Sequence, residues 1–500
     1  MFVNDKNEVK IPISPAIGSN EEFLKKRIGI GTSFDLGVRK LKVLKKDIQL
    51  YYLNGLCDSA YIIELLKELV EINDNERSFK TNTKEVIHNR LIHQQVEEIK
   101  DMDKVVDQLL SGLIIIMIDG ENTAFVVDVR SYPGRNPEEP DTEKVVRGAR
   151  DGYTENIVVN TALTRRRIRD ERLRHEIIQV GERSKTDICV AYLQDVADPN
   201  LVEIIKKELK EIEIDGIPMA DKTVEEFIVK QGWNPYPMVR YTERPDVAAT
   251  HLLEGHVVIM VDTSPSVIIT PTTFFHHVQH AEEYRQTPSV GAFLRWVRFI
   301  GMIASVLLVP VWYLFVKNEE LLPNSLEFIG LKEEFTIPII VQLILANLGI
   351  DMLRMAAIHT PTPLSTAMGL IAAALIGQIA IDVGLFSAEV ILYVAVAAIG
   401  SFATPSYELS VANKLAQIFL LFAVFFFDVA GLVVGLTILV LFMASKRSLN
   451  TPYLWPFLPF DPKAFGQIVI RVAVPLTKTR LNATNPRDDK KQPTRKPLLN

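Results

Sequence analysis

The sequence predicts an α/β soluble N-terminal region of two related subdomains, followed by an all-α polytopic transmembrane domain. Three observations predict it. Apolar stretches of the roughly 20 residues needed to cross a bilayer core occur only between residues 299 and 445, whereas residues 1–290 mix charged and apolar positions. Two strand-like runs recur: residues 47–53 (DIQLYYL) resemble 187–193 (DICVAYL) at an offset of 140, and 112–119 (GLIIIMID) resemble 255–262 (GHVVIMVD) at an offset of 143. The net charge of −6 averages an acidic front and a basic end.

The elements follow in chain order. Residues 1–34 are expected to be an N-terminal tail. No charged-then-apolar signal peptide runs from Met1 to Gly31, so targeting falls to the first span. Gly29-Ile30-Gly31 lacks the rest of either glycine-rich phosphate fingerprint, and no Gly-Lys-Ser/Thr occurs. Residues 35–135 and 165–275 are the two α/β subdomains. Their recurring runs are rich in β-branched residues, which suits buried strands. Helical patterns lie between them at 59–72, 104–110, 201–212 and 224–229. Cys57 and Cys189 sit on apolar stretches and are expected as small buried hydrophobes, not a disulfide or metal site. Asp119 and Asp262 end strands, where ligands bind in α/β folds, although turn residues are commoner there.

Between the subdomains, residues 136–164 form a hub with its motif beginning just upstream. Tyr132, Pro133, Gly134, Arg135, Pro137, Glu138, Glu139 and Pro140 are followed by Arg147, Gly148, Arg150, Asp151 and Gly152, then Glu155, Asn156, Asn160 and the run RRRIR at 165–169. Pro and Gly at this density break regular structure. Acids alternating with Arg permit bidentate pairs, so the hub is expected to couple the subdomains or meet a partner; a solvated charged loop is the plain alternative.

Residues 276–298 are expected as a juxtamembrane helix. His276 and His280 lie four apart and Glu283 shares their face, which makes a metal clip conceivable. An interfacial helix anchored by Phe274, Phe275 and Tyr284 is plainer. The transmembrane domain, 299–445, divides into spans near 299–316, 338–358, 364–381 and 389–404, then a segment at 409–445 too long for one crossing. Asp428, Gly431 and Gly435 interrupt that segment, so it is expected to be a tight hairpin, giving six spans. Arg295 and Arg298 before the first span, and the basic residues 446–500 after the last, place both ends in the cytoplasm and require an even number.

Polar groups inside spans are costly and face protein or water. Gln342, Asn347, Asp351 and Arg354 stand on the second span, Gln378 and Asp382 on the third. Asn347, Asp351 and Arg354 share a helix face, as do Gln378 and Asp382. Such faces line an ion path or glue helices together. The basic tail at 446–500 suits anionic lipid better than nucleic acid.

The hub motif, the following Asn residues and the Arg run resemble the A subunits of GerA-type spore germinant receptors. The similarity extends to Arg295-Trp296-Val297-Arg298, to residues 401–408 (SFATPSYE) and to Pro452-Tyr453 with Pro456 and Pro459. The chain departs from it at Ala149, where those subunits usually carry Pro. It departs again on the second span, where acids of the family are replaced by Gln342, Asn347 and Met355 beside Asp351 and Arg354. The resemblance implies a non-enzymatic protein of the spore inner membrane, acting in germination without a cofactor. It implies a homo-oligomer forming an ion channel for monovalent cations, with sensing done by a second membrane subunit. A non-conducting scaffold for other germination proteins is the rival reading. A solute transporter ranks last, because only one interrupted helix is visible.

Overall fold

Both halves of the N-terminal region build the same five-stranded sheet. The computed structural model describes residues 11–75, 83–91, 96–130, 143–332, 336–359, 369 and 378–492. The first subdomain runs α1 (Ile17–Ile28), β1 (Leu36–Val43), β2 (Lys46–Leu53), α2 (Ser59–Asn75), α3 (Thr83–Arg90), β3 (Val96–Ile99), α4 (Met102–Leu110), β4 (Ile114–Ile118), β5 (Ala124–Val127). The second runs α5 (Ile157–Arg167), β6 (Leu173–Val180), β7 (Thr186–Leu193), α6 (Pro199–Lys210), α7 (Ala220–Val229), β8 (Arg240–Thr242), α8 (Pro245–Leu253), β9 (Val257–Val261), β10 (Val267–Thr270).

The strand orders are β1-β2-β4-β5-β3 and β6-β7-β9-β10-β8, which correspond strand for strand. Register corresponds too: Ile48 pairs with Ile118 across β2 and β4, and Ile188 with Val261 across β7 and β9, both ladders antiparallel. The four runs singled out in the sequence are β2, β4, β7 and β9. Every residue of β4 and β9 is buried, because helices cover both sheet faces. Successive strand side chains point to opposite faces. Ile115 and Met117 accordingly join α1 and α4 in one core, while Ile114, Ile116 and Ile118 join α2 and α3 in the other.

Two segments expected as tails are built into this region. Residues 11–34 carry α1, whose Leu24 and Ile28 are buried in the first core; its apolar positions were too few to stand out among charges. At the other end, Arg480 Nε donates to Leu253 O at 2.6 Å, Thr484 Oγ1 to Glu254 O at 2.9 Å, and Arg487 N to Val196 O at 2.9 Å. Lys491 pairs with Glu254. Part of the basic tail thus closes the open end of α8. One compact unit holds the two subdomains and the segment from Thr477, and a second holds 232–240 and 272–476.

The second unit is helical: α9 (Phe274–Val278), α10 (Ala281–Arg285), α11 (Pro288–Lys317), α12 (Ile339–His359), α13 (Ala388–Phe402), α14 (Tyr407–Ser445), a small hairpin of β11 (Arg447–Ser448) and β12 (Thr451–Pro452), and α15 (Pro462–Val469). Three of these, α11, α12 and α14, are long and apolar enough to cross a membrane, while α13 is apolar but has 15 residues. The expected third span lies outside the described residues except for 369 and 378–381.

The long α14 doubles back at Asp428, whose φ of 51° and ψ of −131° are not helical. A Cβ built on Gly435 would lie 2.9 Å from Leu420 Cδ2 and 3.5 Å from Ala423 Cβ. In a straight helix, residues 420 and 435 would stand about 22 Å apart. The two arms therefore pack against each other, as the interruption at Asp428, Gly431 and Gly435 suggested. Trp312 stacks on Tyr393 at 4.7 Å and sits in a core with Val309, Leu343, Val394 and Leu421.

Candidate functional site

The two subdomains meet at a buried ion pair. Asp35 stands one residue before β1, Arg165 in the last turn of α5 and His175 on β6, and all three are buried. Arg165 Nε donates to Asp35 Oδ2 at 2.9 Å, and its terminal nitrogens donate to Asp170 O at 3.0 Å and Leu173 O at 3.1 Å. His175 Nδ1 lies 3.1 Å from the same carboxylate oxygen, and Ser33 Oγ donates to the other at 2.8 Å. Phe34 N donates to His175 O at 2.9 Å, tying the two edge strands together.

Burial alone would raise the Asp35 carboxyl; Arg165 and His175 outweigh it and hold the group well below the ordinary carboxylate range. Burial pushes His175 below its usual value, with Asp35 opposing only in part. The charged pair is therefore Asp35 with Arg165, and the imidazole is neutral. Facing a carboxylate, Nδ1 carries the proton, which leaves His175 Nε2 buried without a partner. Ser33 spends its hydroxyl on the carboxylate and not on the ring, so the group lacks the nucleophile-to-base contact of a hydrolase. It is a clamp.

The duplication repeats down to single side chains. Asn160 Oδ1 accepts from Thr154 N at 2.8 Å and Nδ2 donates to Thr154 O at 2.6 Å; Asn20 does the same to Ser14 at 2.9 and 2.7 Å. Asp262 Oδ1 accepts from Ile157 N at 3.1 Å, and Asp119 Oδ1 from Ile17 N at 3.2 Å. The strand-ending aspartates thus cap α5 and α1, satisfying helix donors that have no intrahelical partner. Asn156 adds a second cap, accepting from Val158 N and Val159 N. A cleft of about 500 Å³ opens here, with Phe34, Glu155, Asn156, Asp187 and Asp262 on its walls.

The upstream part of the hub motif, Tyr132 through Pro140, lies outside the described residues. Its later part is fastened to the second subdomain. Both carboxylate oxygens of Asp151 lie 2.6 Å from Arg167 Nη2, and the Tyr153 hydroxyl is 2.8 Å from Thr164 Oγ1. Buried Arg244 donates to Glu143 O at 3.1 Å and Ala149 O at 3.0 Å. Gly148 has a φ of 143°, suited to glycine. Arg147 and Arg150 point outward and are exposed.

In the second unit, the polar face of α12 turns onto its neighbours. Gln342, fully buried, donates to Ile337 O at 2.9 Å and accepts from Ser387 N at 2.8 Å, covering the start of α13. Asn347 accepts from Lys414 Nζ, which also lies 3.6 Å from Asp351. Arg354 donates to Ser410 Oγ at 3.0 Å and lies over the rings of Tyr407 at 4.6 Å and Phe402 at 5.3 Å. These four side chains link α12 to the start of α13 and to the first arm of α14. Gln378 and Asp382 take no part in that network and are exposed.

The Arg pair before the first span converges on one carboxylate. Arg295 Nε donates to Glu283 Oε2 at 2.7 Å, and Arg298 pairs with Glu283 Oε1. Arg295 Nη1 also reaches Gln467 O at 2.9 Å and Ile468 O at 2.7 Å at the end of α15. Glu283 is thus committed to arginine, and His276 and His280 use Nδ1 to cap the starts of α9 and α10. Burial, with Arg240 adding to it, pushes His277 down to about 3. Among the described residues no group of three or more His, Cys, Asp and Glu is placed to hold a metal. Cys57 and Cys189 are free and buried, and burial raises both thiols.

Sequence reasoning missed Asp35, His175, Arg244 and Lys414. The repeat offset offered no route to Asp35, but Ser410, Asn413, Lys414 and Gln417 form a polar stripe at helical spacing that reveals where α12 docks.

Residues 22–483 match the family described as Bacillus/Clostridium GerA spore germination protein. The chain is 63% identical over 490 residues to stage V sporulation protein AF of Bacillus subtilis (strain 168), covering 98% of this chain and 99% of that relative. It is 28% identical over 474 residues to spore germination protein KA of the same organism, covering 93% of this chain and 86% of the relative. Among solved structures, the N-terminal domain of the A subunit of the Bacillus megaterium spore germinant receptor GerK3 matches at 28% identity and a TM-score of 0.42, covering 53% of this chain and 98% of that one.

Proposed function

The chain belongs to the GerA family of spore germination proteins, and from that premise we propose that it is a subunit of an oligomeric ion channel releasing monovalent cations during germination. Its relatives act in sporulation and germination, and its helices are of membrane-crossing length. Several copies surround a pore in the spore inner membrane, with the soluble region and the C-terminus cytoplasmic. The exposed Arg147 and Arg150 of the hub serve the junction between copies. A second membrane subunit accompanies the ring.

One observation carries this reading. The polar groups of α12 are consumed within the chain, whereas Gln378 and Asp382, four residues apart, stay exposed. An exposed amide is costly against lipid, so this face suits water or a neighbouring copy. The test is ion release from germinating spores carrying Gln378→Lys at matched protein level. A changed rate or ion order is expected. An unchanged profile with the protein present and assembled removes that face from a pore. It leaves the second reading, a non-conducting scaffold, which the internal pairing of Gln342, Asn347, Asp351 and Arg354 favours.

A further inference from the structure

Beyond the spans, we propose that residues 454–460, with α15 behind them, lie in the interfacial layer of the bilayer that the chain crosses. After α14 the β11–β12 hairpin turns the chain, and buried Tyr453 packs near Tyr236 and Phe274 at 6.2 and 6.1 Å. The next residues then present large apolar side chains outward: Phe457 is 44% exposed, Leu458 50% and Phe460 64%. Isolated exposed hydrophobes need no explanation, but three within four residues form a patch.

The patch is held in place. Phe457 stacks on Phe275 at 5.1 Å and 12°, and meets the edge of Phe465 at 4.9 Å and 83°. Phe460 leans on the same Phe465 at 5.7 Å. Phe465 belongs to α15, whose last carbonyls accept from Arg295 of α11. Beside Arg295, Phe293 and Trp296 are also exposed on the entry turns of α11. The patch is therefore tied through α15 and Arg295 to the first turns of a membrane-length helix, where aromatic side chains settle between headgroup and acyl chain.

The surrounding charge fits the same occupant. Arg447 and Lys463 are exposed on either side, and Lys446 lies over the Phe442 ring at 4.4 Å. Cations beside an apolar face match anionic phospholipid headgroups, with Lys stems lying along apolar surface.

The experiment places a nitroxide on the full-length protein at Phe460→Cys or, separately, Leu458→Cys, in bilayers of phosphatidylglycerol and phosphatidylethanolamine. Cys57 and Cys189 are buried, so the unsubstituted chain reports background labelling. Collision with oxygen, which concentrates among acyl chains, is compared with collision with a nickel chelate confined to water. The expected oxygen-to-chelate ratio at both positions is severalfold above that at Lys45→Cys, on the exposed β1–β2 turn, and below that at Val433→Cys on α14. A ratio equal to that of Lys45→Cys means the loop is in water and overturns the proposal. Protection from both reagents means that another protein or a second copy covers the patch, and overturns it equally.

Discussion

Asp35 carries its charge away from water, and it does so only while Arg165 and His175 remain beside it. Removing one partner of a buried, hydrogen-bonded pair leaves the other charge uncompensated and costs about 3–5 kcal/mol. Asp35→Ala should lower the protection of β1 and β6 amides by that order, read by hydrogen exchange on the full chain. The site also sets an acid limit. The folded pKa of His175 lies below its unfolded value near 6.5, so the unfolded state binds the extra proton first and stability declines as pH falls through that value. Asp35 adds a further loss at lower pH, where its unfolded carboxyl takes up a proton that the folded one refuses. Glu21, pulled down to about 2 chiefly by Lys25 and Lys40, loses its contribution between 4.5 and 2. Melting should drop between pH 7 and 5.5 in the natural chain, and His175→Gln should lessen that step, the remainder coming from His277, which is also held below 6.5. Arg165 was legible as part of a charged motif. Asp35 was not, because a lone acid 130 residues away in the chain has no periodicity to betray its partner. Asn20 was within reach: it stands at the repeat offset from Asn160.

Helix length against bilayer thickness is a hard constraint, which is why the reversal in α14 could be read before any coordinate. If the arms pack as described, Ala423→Cys with Gly435→Cys should form an intramolecular disulfide on mild oxidation, because their Cβ positions are 3.5 Å apart. A continuous helix would separate them by about 18 Å and yield none. Close approach recurs where α11 crosses α13: a Cβ on Gly400 would overlap the Gly301 carbonyl. Gly400→Val should therefore reduce the amount of folded protein in membranes, measured against total synthesis. Sequence reasoning read α12 as a choice between pore and glue; its contacts with Ser410 and Lys414 lie on a polar stripe of α14 that was legible but not singled out. The sheets were legible for the opposite reason, since β4 and β9, buried along their whole length, read as unbroken apolar runs.

Across the whole molecule, residues following Thr477 pack on the second subdomain within one compact unit, so the chain returns to that unit after its helical segment. This return fits the expected even number of crossings. The expected six include one near 364–381, which lies outside the described residues except for 369 and 378–381. Leu385→Cys should react with an impermeant maleimide added to intact protoplasts, and Asn450→Cys only after permeabilisation; reaction of both only after permeabilisation would remove the extra crossing. The same return of the chain has a consequence for biosynthesis. The carbonyls of Leu253 and Glu254 wait for Arg480 and Thr484 until more than two hundred further residues have left the ribosome and the membrane helices have inserted. A chain cut short after Ser445 still carries every expected span, yet it leaves that edge bare, so quality-control proteases have a surface that distinguishes an unfinished copy from a finished one.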